Sequence, residues 1–194
     1  MHSKNYVHAD IKAANILLEK ADDFSTSVLA DFGLAQMVNG KEEKPEKKRA
    51  HNGTAIFTSC DAHRGSQPSY RGDLEILAYN MVYWLSGSLP WEAHESNPDK
   101  VYQMKETFLK GLPSSLKELL KNNQDSCTPL KEIFMIAQKT DYVNHLDFAR
   151  LYKIVDDVLK RTVPSRQGKR KAPNETVELT KPSPAKRNKI GWFI

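Results

Sequence analysis

Three oxygen-bearing side chains stand at a spacing suited to moving a phosphoryl group. Asp10 and Asn15 lie within His8-Ala9-Asp10-Ile11-Lys12-Ala13-Ala14-Asn15, and Asp31 opens Asp31-Phe32-Gly33. A carboxylate such as Asp10 can accept the proton of an attacking hydroxyl. An amide and a second carboxylate, Asn15 and Asp31, are hard oxygen donors of the kind that hold magnesium. Phosphoryl transfer asks little covalent work of a protein: the hydroxyl must be positioned and the phosphate charge neutralised. Either segment alone is weak evidence. In this order, with a short apolar run between them, they match a known catalytic signature, which accident rarely assembles.

The elements that must position these groups can be read on both sides. Asn15-Ile16-Leu17-Leu18 leaves the first segment as a short strand, and Ser27-Val28-Leu29-Ala30 is a second that ends at Asp31. The pair reads as a hairpin that delivers both metal ligands to one edge. Asn39 to His51, rich in Lys and Glu, reads as a mobile, solvated loop. Residues 72–85 are apolar nearly all round and predict a buried central helix, with Asp73 placed to cap its start. Asn97-Pro98 opens a helix to about Leu109, and Thr128-Pro129 opens one ending near Thr140. Residues 146–159 show an amphipathic repeat. His8 is expected to pack and hydrogen-bond beneath the loop, His63 to stabilise the fold, and Trp84 and Trp91 to lie in the core.

Charge is unevenly distributed. Residues 163–194 hold eight Lys or Arg against two Glu, while residues 1–162 hold 21 basic against 22 acidic side chains. The net charge of +5 therefore belongs to the end of the chain, and the body is close to neutral. From Val163 on, Pro, Ser, Lys and Arg dominate, which predicts a disordered tail. Lys169-Arg170-Lys171 and Lys186-Arg187-Asn188-Lys189 form two basic clusters with a spacer, a pattern that suits nuclear import, or contact with nucleic acid through counterion release. No apolar run approaches the roughly 20 residues that span a bilayer, and Met1 to Tyr6 shows no secretion signal. Cys60 and Cys127 form no CxxC pair, so two reduced thiols, with no metal bound through them, are expected.

From about Tyr6 to Leu159 the chain resembles the C-terminal lobe of a vaccinia-related kinase, in the casein-kinase-1-like branch of Ser/Thr protein kinases. The residues that carry the likeness are His8 to Asn15, Asp31 to Ala35, Gly53 to Ser59, Asp61-Ala62-His63, Tyr70 to Leu77 and Leu89-Pro90-Trp91-Glu92. The general Ala-Pro-Glu motif is missing after the activation loop, as it is in that branch. The resemblance implies a mainly α fold with short β-hairpins at the catalytic loop and metal-binding turn. Residues 1–162 would be a partial kinase domain and 163–194 a basic tail. It further implies that Asp10 is the catalytic base, Lys12 steadies the transferring phosphate, and Asn15 and Asp31 hold Mg2+ with ATP. Thr54 would position the acceptor loop near Lys12, and Asp73, like His8, would support the loop from below. Ala9 replaces an arginine that many kinases use to sense activation-loop phosphorylation, which implies constitutive competence.

Only seven residues precede His8, too few for a glycine-rich phosphate cover, a strand lysine and its helix glutamate. The expectation is a chain whose N-terminal β lobe is absent, with apolar surface exposed and little activity alone. As a kinase it would act on protein Ser or Thr, in the nucleus and also the cytoplasm, on chromatin-associated substrates, as a monomer away from membranes. The alternatives are a pseudokinase scaffold that binds partners without turnover, and a fragment with no function of its own.

Overall fold

The computed structural model describes residues 1–40 and 43–162. The basic tail, and the expectations that rest on it, lie outside the described residues. Among the described residues four short strands come first: β1 (Tyr6–Val7), β2 (Ile16–Leu18), β3 (Ser27–Leu29) and β4 (Gln36–Met37). β2 and β3 pair antiparallel with Ile16 opposite Leu29, and β1 pairs antiparallel with β4. Six α-helices follow among the same residues: α1 (Cys60–His63), α2 (Tyr70–Ser86), α3 (Pro98–Lys110), α4 (Ser114–Leu119), α5 (Cys127–Lys139) and α6 (Phe148–Thr162). No helix among the described residues is long and apolar enough to cross a membrane.

The core is built on α2. Tyr70, Leu74, Ala78, Tyr79 and Val82 are buried, and α5 lays Leu130, Ile133, Phe134 and Ala137 against the same core. Edge-on rings tie the layers together. Tyr79 meets Trp91 at 5.2 Å between centroids, Trp91 meets Phe108 of α3 at 5.4 Å, and Phe108 meets Phe134 of α5 at 5.8 Å. Each such pair adds about 0.5–1.5 kcal/mol beyond the area it buries. Trp91 is in the core as expected, but Trp84 is not: it lies on the outer side of α2, 37% exposed.

The helix starts show where sequence signals succeed and where they mislead. Asn97 caps α3 by accepting from the Lys100 N–H (3.1 Å), with Pro98 at the first helical position, as read from sequence. α2 begins earlier than expected and is capped by Ser69, whose Oγ accepts from the Gly72 N–H (3.1 Å). Asp73 therefore does not cap; its carboxylate is used elsewhere. α5 starts at Cys127, because a tight turn at Gln124–Ser126 runs straight into it. Thr128-Pro129 then falls inside its first turn, where proline's missing N–H costs nothing. α6 starts at Phe148, after Asp147 accepts from the Arg150 N–H (3.0 Å), and Leu146 stays buried ahead of it. α1 and α4 leave no signal in the sequence. At four and six residues they are too short to show a repeat.

The segment expected to be a solvated loop is anchored from residue 43 on. Glu43 accepts from Arg64 (3.1 Å), Ser66 (2.7 Å) and Arg71 (2.8 Å). Glu46 donates its N–H to Gly65 O (2.9 Å). Gly65 sits at φ +86, and a Cβ there would lie 2.2 Å from Glu46 O, so only glycine lets the two backbones approach.

Candidate active site

β1 feeds the chain into a loop whose backbone is held from beneath. Asp73, buried on α2, accepts from the His8 N–H and the Ala9 N–H, both at 2.8 Å. The same carboxylate accepts from His2 Nε2 at 2.8 Å. Ala9 adopts φ 68, a left-handed conformation that costs an L-residue about 1–2 kcal/mol. The two Asp73 bonds hold it there, and so set the direction in which the next residue, Asp10, leaves the loop.

His8 is fully buried, as expected, and links both segments. Its Nδ1 accepts from the Asp10 N–H (3.3 Å) and its Nε2 bonds Ala30 O (2.9 Å), so the ring carries its hydrogen on Nε2. The Ala30 N–H in turn donates to Asn15 O (2.8 Å), extending the β2–β3 ladder by one step. Asn15 and the residue after Ala30, Asp31, therefore stand at the same end of one hairpin. Asp31 is exposed at φ 60, accepts from the Gly33 N–H (3.2 Å), and is followed by Phe32, whose ring tilts over His8 at 5.5 Å.

Asp10 is the hub of the exposed side. Lys12 Nζ donates to its Oδ2 (2.7 Å) and to Thr54 Oγ1 (2.9 Å). Thr54 gives its hydroxyl (2.7 Å) and its N–H (3.1 Å) to Asp10 Oδ1. Burial pushes the Asp10 carboxyl up, but the bonds from Lys12 and Thr54 outweigh it and hold the group below its ordinary 3.8. Asp10 thus stays ionised at neutral pH, and a carboxylate has enough lone pairs to accept one more hydroxyl. Asn15 commits its Nδ2 to Asp10 O (2.8 Å), which leaves Oδ1 as the end available to a cation. No group of three or more His, Cys, Asp or Glu forms a metal cluster among the described residues. Two oxygen donors nevertheless fit magnesium, which takes its remaining ligands from phosphates and water.

The Thr54 turn is fixed from the other side. Gly53, at φ +94, brings the chain within reach of Ala9 O. Trp91 Nε1 donates to Ile56 O (2.8 Å), and Lys105 Nζ to Ala55 O (2.9 Å) and Thr58 O (2.6 Å). Asp61, in the stretch without the Ala-Pro-Glu motif, pairs with Arg71 of α2 (2.6 Å) and with Arg64. His63 is packed rather than chemical: burial, with the charges of Lys105 and His51, lowers it to about 3, and its ring stacks on Tyr102 at 5.6 Å.

The structure thus brings together Asp10, Lys12, Asn15 and Thr54 by direct bonds, sets Asp31 beside them through the hairpin, and backs them with His8 and Asp73. Sequence reading missed His2 and Lys105. For Lys105 a signal was present, since it interrupts the apolar face Val101, Lys105, Phe108 of α3. His2 gave none, because its partner is 71 residues away.

Residues 1–177 match the family model "Protein kinase domain". Serine/threonine-protein kinase VRK1 of Caenorhabditis elegans is 50% identical over 176 residues, covering 87% of this chain and 29% of the relative. Nucleosomal histone kinase 1 of Drosophila melanogaster is 49% identical over 123 residues, covering 61% of this chain and 20% of the relative. The solved structure of vaccinia related kinase 3 superposes with a TM-score of 0.69 at 25% identity, covering 82% of this chain and 50% of that one. The chain spans less than a third of the length of these curated relatives.

Proposed function

This chain belongs to the protein kinase domain family, in its vaccinia-related branch, and from that premise we propose that it holds the acceptor-side machinery of a Ser/Thr protein kinase. The observation that carries the reading is the bonded set Lys12–Asp10–Thr54, with Asn15 locked to the Asp10 carbonyl. Asp10 accepts the proton of a Ser or Thr hydroxyl as it attacks the γ-phosphate of ATP. Lys12, two residues away, meets the negative charge that gathers on the transferring group. Thr54 keeps both in register with the loop against which the acceptor lies. Asn15 Oδ1 and the Asp31 carboxylate are the ends that would hold magnesium, whose charge, when bound, would screen the phosphates.

We place the protein in the nucleus, on the clusters at 169–171 and 186–189, acting as a monomer on protein substrates associated with chromatin. The Drosophila relative bears the name of a nucleosomal histone kinase, which agrees with that location. A scaffold without turnover is the less favoured reading, since Asp10, Lys12, Asn15 and Asp31 are all present.

Radiolabelled ATP tests the reading directly. Transfer to a Ser/Thr acceptor protein should be slow from this chain alone, and Asp10→Asn should reduce that rate by about a hundredfold or more, the order expected for loss of a positioned base. Transfer that survives in Asp10→Asn refutes the assignment. A fluorescent fusion lacking residues 163–194 should lose nuclear enrichment, and undiminished enrichment refutes the targeting role of the tail.

A further inference from the structure

Lys105 is the only Lys or Arg in the buried interior among the described residues. It stands on the inner face of α3 where the helical repeat asks for an apolar side chain, and an ammonium there is costly to desolvate. Its compensation is aimed largely at one short segment. Two of its bonds go to Ala55 O and Thr58 O, and a third meets His63 Nε2 at 3.2 Å. The ring faces of Tyr79 (4.9 Å) and Trp91 (5.6 Å) cover the charge. The two carbonyls lie within the turn that begins at Thr54, the residue that holds Asp10.

The bonds continue outward in a fixed sense. His63 accepts from Lys105 at Nε2, so its hydrogen is on Nδ1, facing His51 Nδ1 at 2.8 Å. His51 accepts there, carries its own hydrogen on Nε2, and points it at Asp99 Oδ1, 3.3 Å away on an exposed side chain. The groups around Lys105 are Cys60 and His63 from α1, Glu75 and Tyr79 from α2, and, beyond His63, His51 from the loop. Burial lowers Lys105 to about 7, opposed in part by Cys60 and Glu75.

We infer that Lys105 is a positioning residue for the hydroxyl acceptor: it pins the Thr54–Thr58 turn to α3, and the chain His63–His51–Asp99 braces that pin from the solvent side. The acceptor then meets a preset surface beside Asp10. The inference rests on the kinase reading of the site, but its test does not.

Hydrogen–deuterium exchange on the intact chain compares wild type with Lys105→Met, which keeps the length and removes the donors. Amides of residues 54–59 should exchange about tenfold faster or more in the variant, the loss expected for two strong bonds, while α2 and α5 keep their protection. The global urea midpoint should change little, because loss of the costly buried ammonium offsets the acceptors left at Ala55 O, Thr58 O and His63 Nε2, which the opened turn returns to water. In the wild type, protection of the same amides, corrected for intrinsic rates, should rise between about pH 7 and 9. An opened turn returns Lys105 to water, where it binds a proton more tightly than in the closed turn, so raising the pH favours closure. Lys105→Met should lack that slope. A merely structural lysine would instead lower the urea midpoint, with residues 54–59 following the global value. Equal protection of residues 54–59 in both proteins overturns the inference. If the variant does not fold, the wild-type profile decides, and a flat profile overturns it. A chain with this exchange pattern that transfers no phosphate keeps the pin and loses the kinase reading.

Discussion

Replacing Asp73 by Asn tests the idea that the catalytic loop is held in a strained conformation by one carboxylate. The side chain keeps its size but exchanges an acceptor oxygen for an NH2 group. Three donors now converge on that carboxylate: the His8 N–H, the Ala9 N–H and His2 Nε2, each at 2.8 Å. An amide has one oxygen for them, so at least one buried donor loses its partner, at about 1–3 kcal/mol, and the surviving bonds are no longer charge-assisted. A net destabilisation of about 2–4 kcal/mol should follow in urea titration. Ala9 then has less to hold it at φ 68 and relaxes toward the favoured region. Asp10 shifts with it, and a displacement of about 1 Å can cost on the order of a hundredfold in rate. Adding Ala9→Gly should recover part of both losses, because glycine occupies φ 68 without the penalty of about 1–2 kcal/mol. Ala9→Gly alone should leave the loop in place and stabilise it slightly. A stability change below about 0.5 kcal/mol for Asp73→Asn, with unaltered amide exchange at residues 8–10, would refute the reasoning.

Other outcomes follow from single contacts. The Asp10 carboxyl sits below its ordinary 3.8, so its stabilising contribution is complete above that value and is lost as pH falls through the depressed one. The stability difference between wild type and Asp10→Asn should therefore shrink as pH drops below about 4 in acid titration monitored by circular dichroism. Cys60 is buried beside Glu75 and Tyr79, and burial and then the Glu75 charge push its thiol far up. It should resist iodoacetamide at pH 8 in the native state and react only on unfolding, as read by mass spectrometry. Gly65→Ala places a Cβ against the Glu46 carbonyl at positive φ and should cost about 2–4 kcal/mol in urea titration, with exchange rising first at residues 46–51.

What could be read from the sequence was what lies close along the chain. The pairing of β2 with β3 as a hairpin, the Asn97-Pro98 start of α3 and the delivery of Asn15 and Asp31 to one edge are all local, and short patterns along the chain revealed them. The family likeness supplied the contacts of Thr54 and Asp73 with the loop, which span 44 and 65 residues and which no local pattern encodes. Asp73 shows the difference within one residue: its place near a helix start suggested a cap, yet Ser69 takes that role. Residue type alone puts Trp84 in the core, but its face of α2 is turned outward. The charged run after Asn39 looked solvated because its partners, Arg64 and Arg71, come more than twenty residues later.

Arg71 has a consequence for how such chains can drift apart. One guanidinium meets Asp61 at 2.6 Å, Glu43 at 2.8 Å, the Thr140 carbonyl at 3.3 Å and the face of the Tyr142 ring at 5.4 Å. Lysine, a point charge without a flat fork, has no way to serve all four. The stretch from Glu43 to Asp61 is thus tethered at both ends to a single rigid plane. Inside it, exposed lysines are free to be exchanged for other polar residues, whereas adding or removing one residue would pull an end off its anchor. Divergence in this region should appear as changed letters at constant spacing.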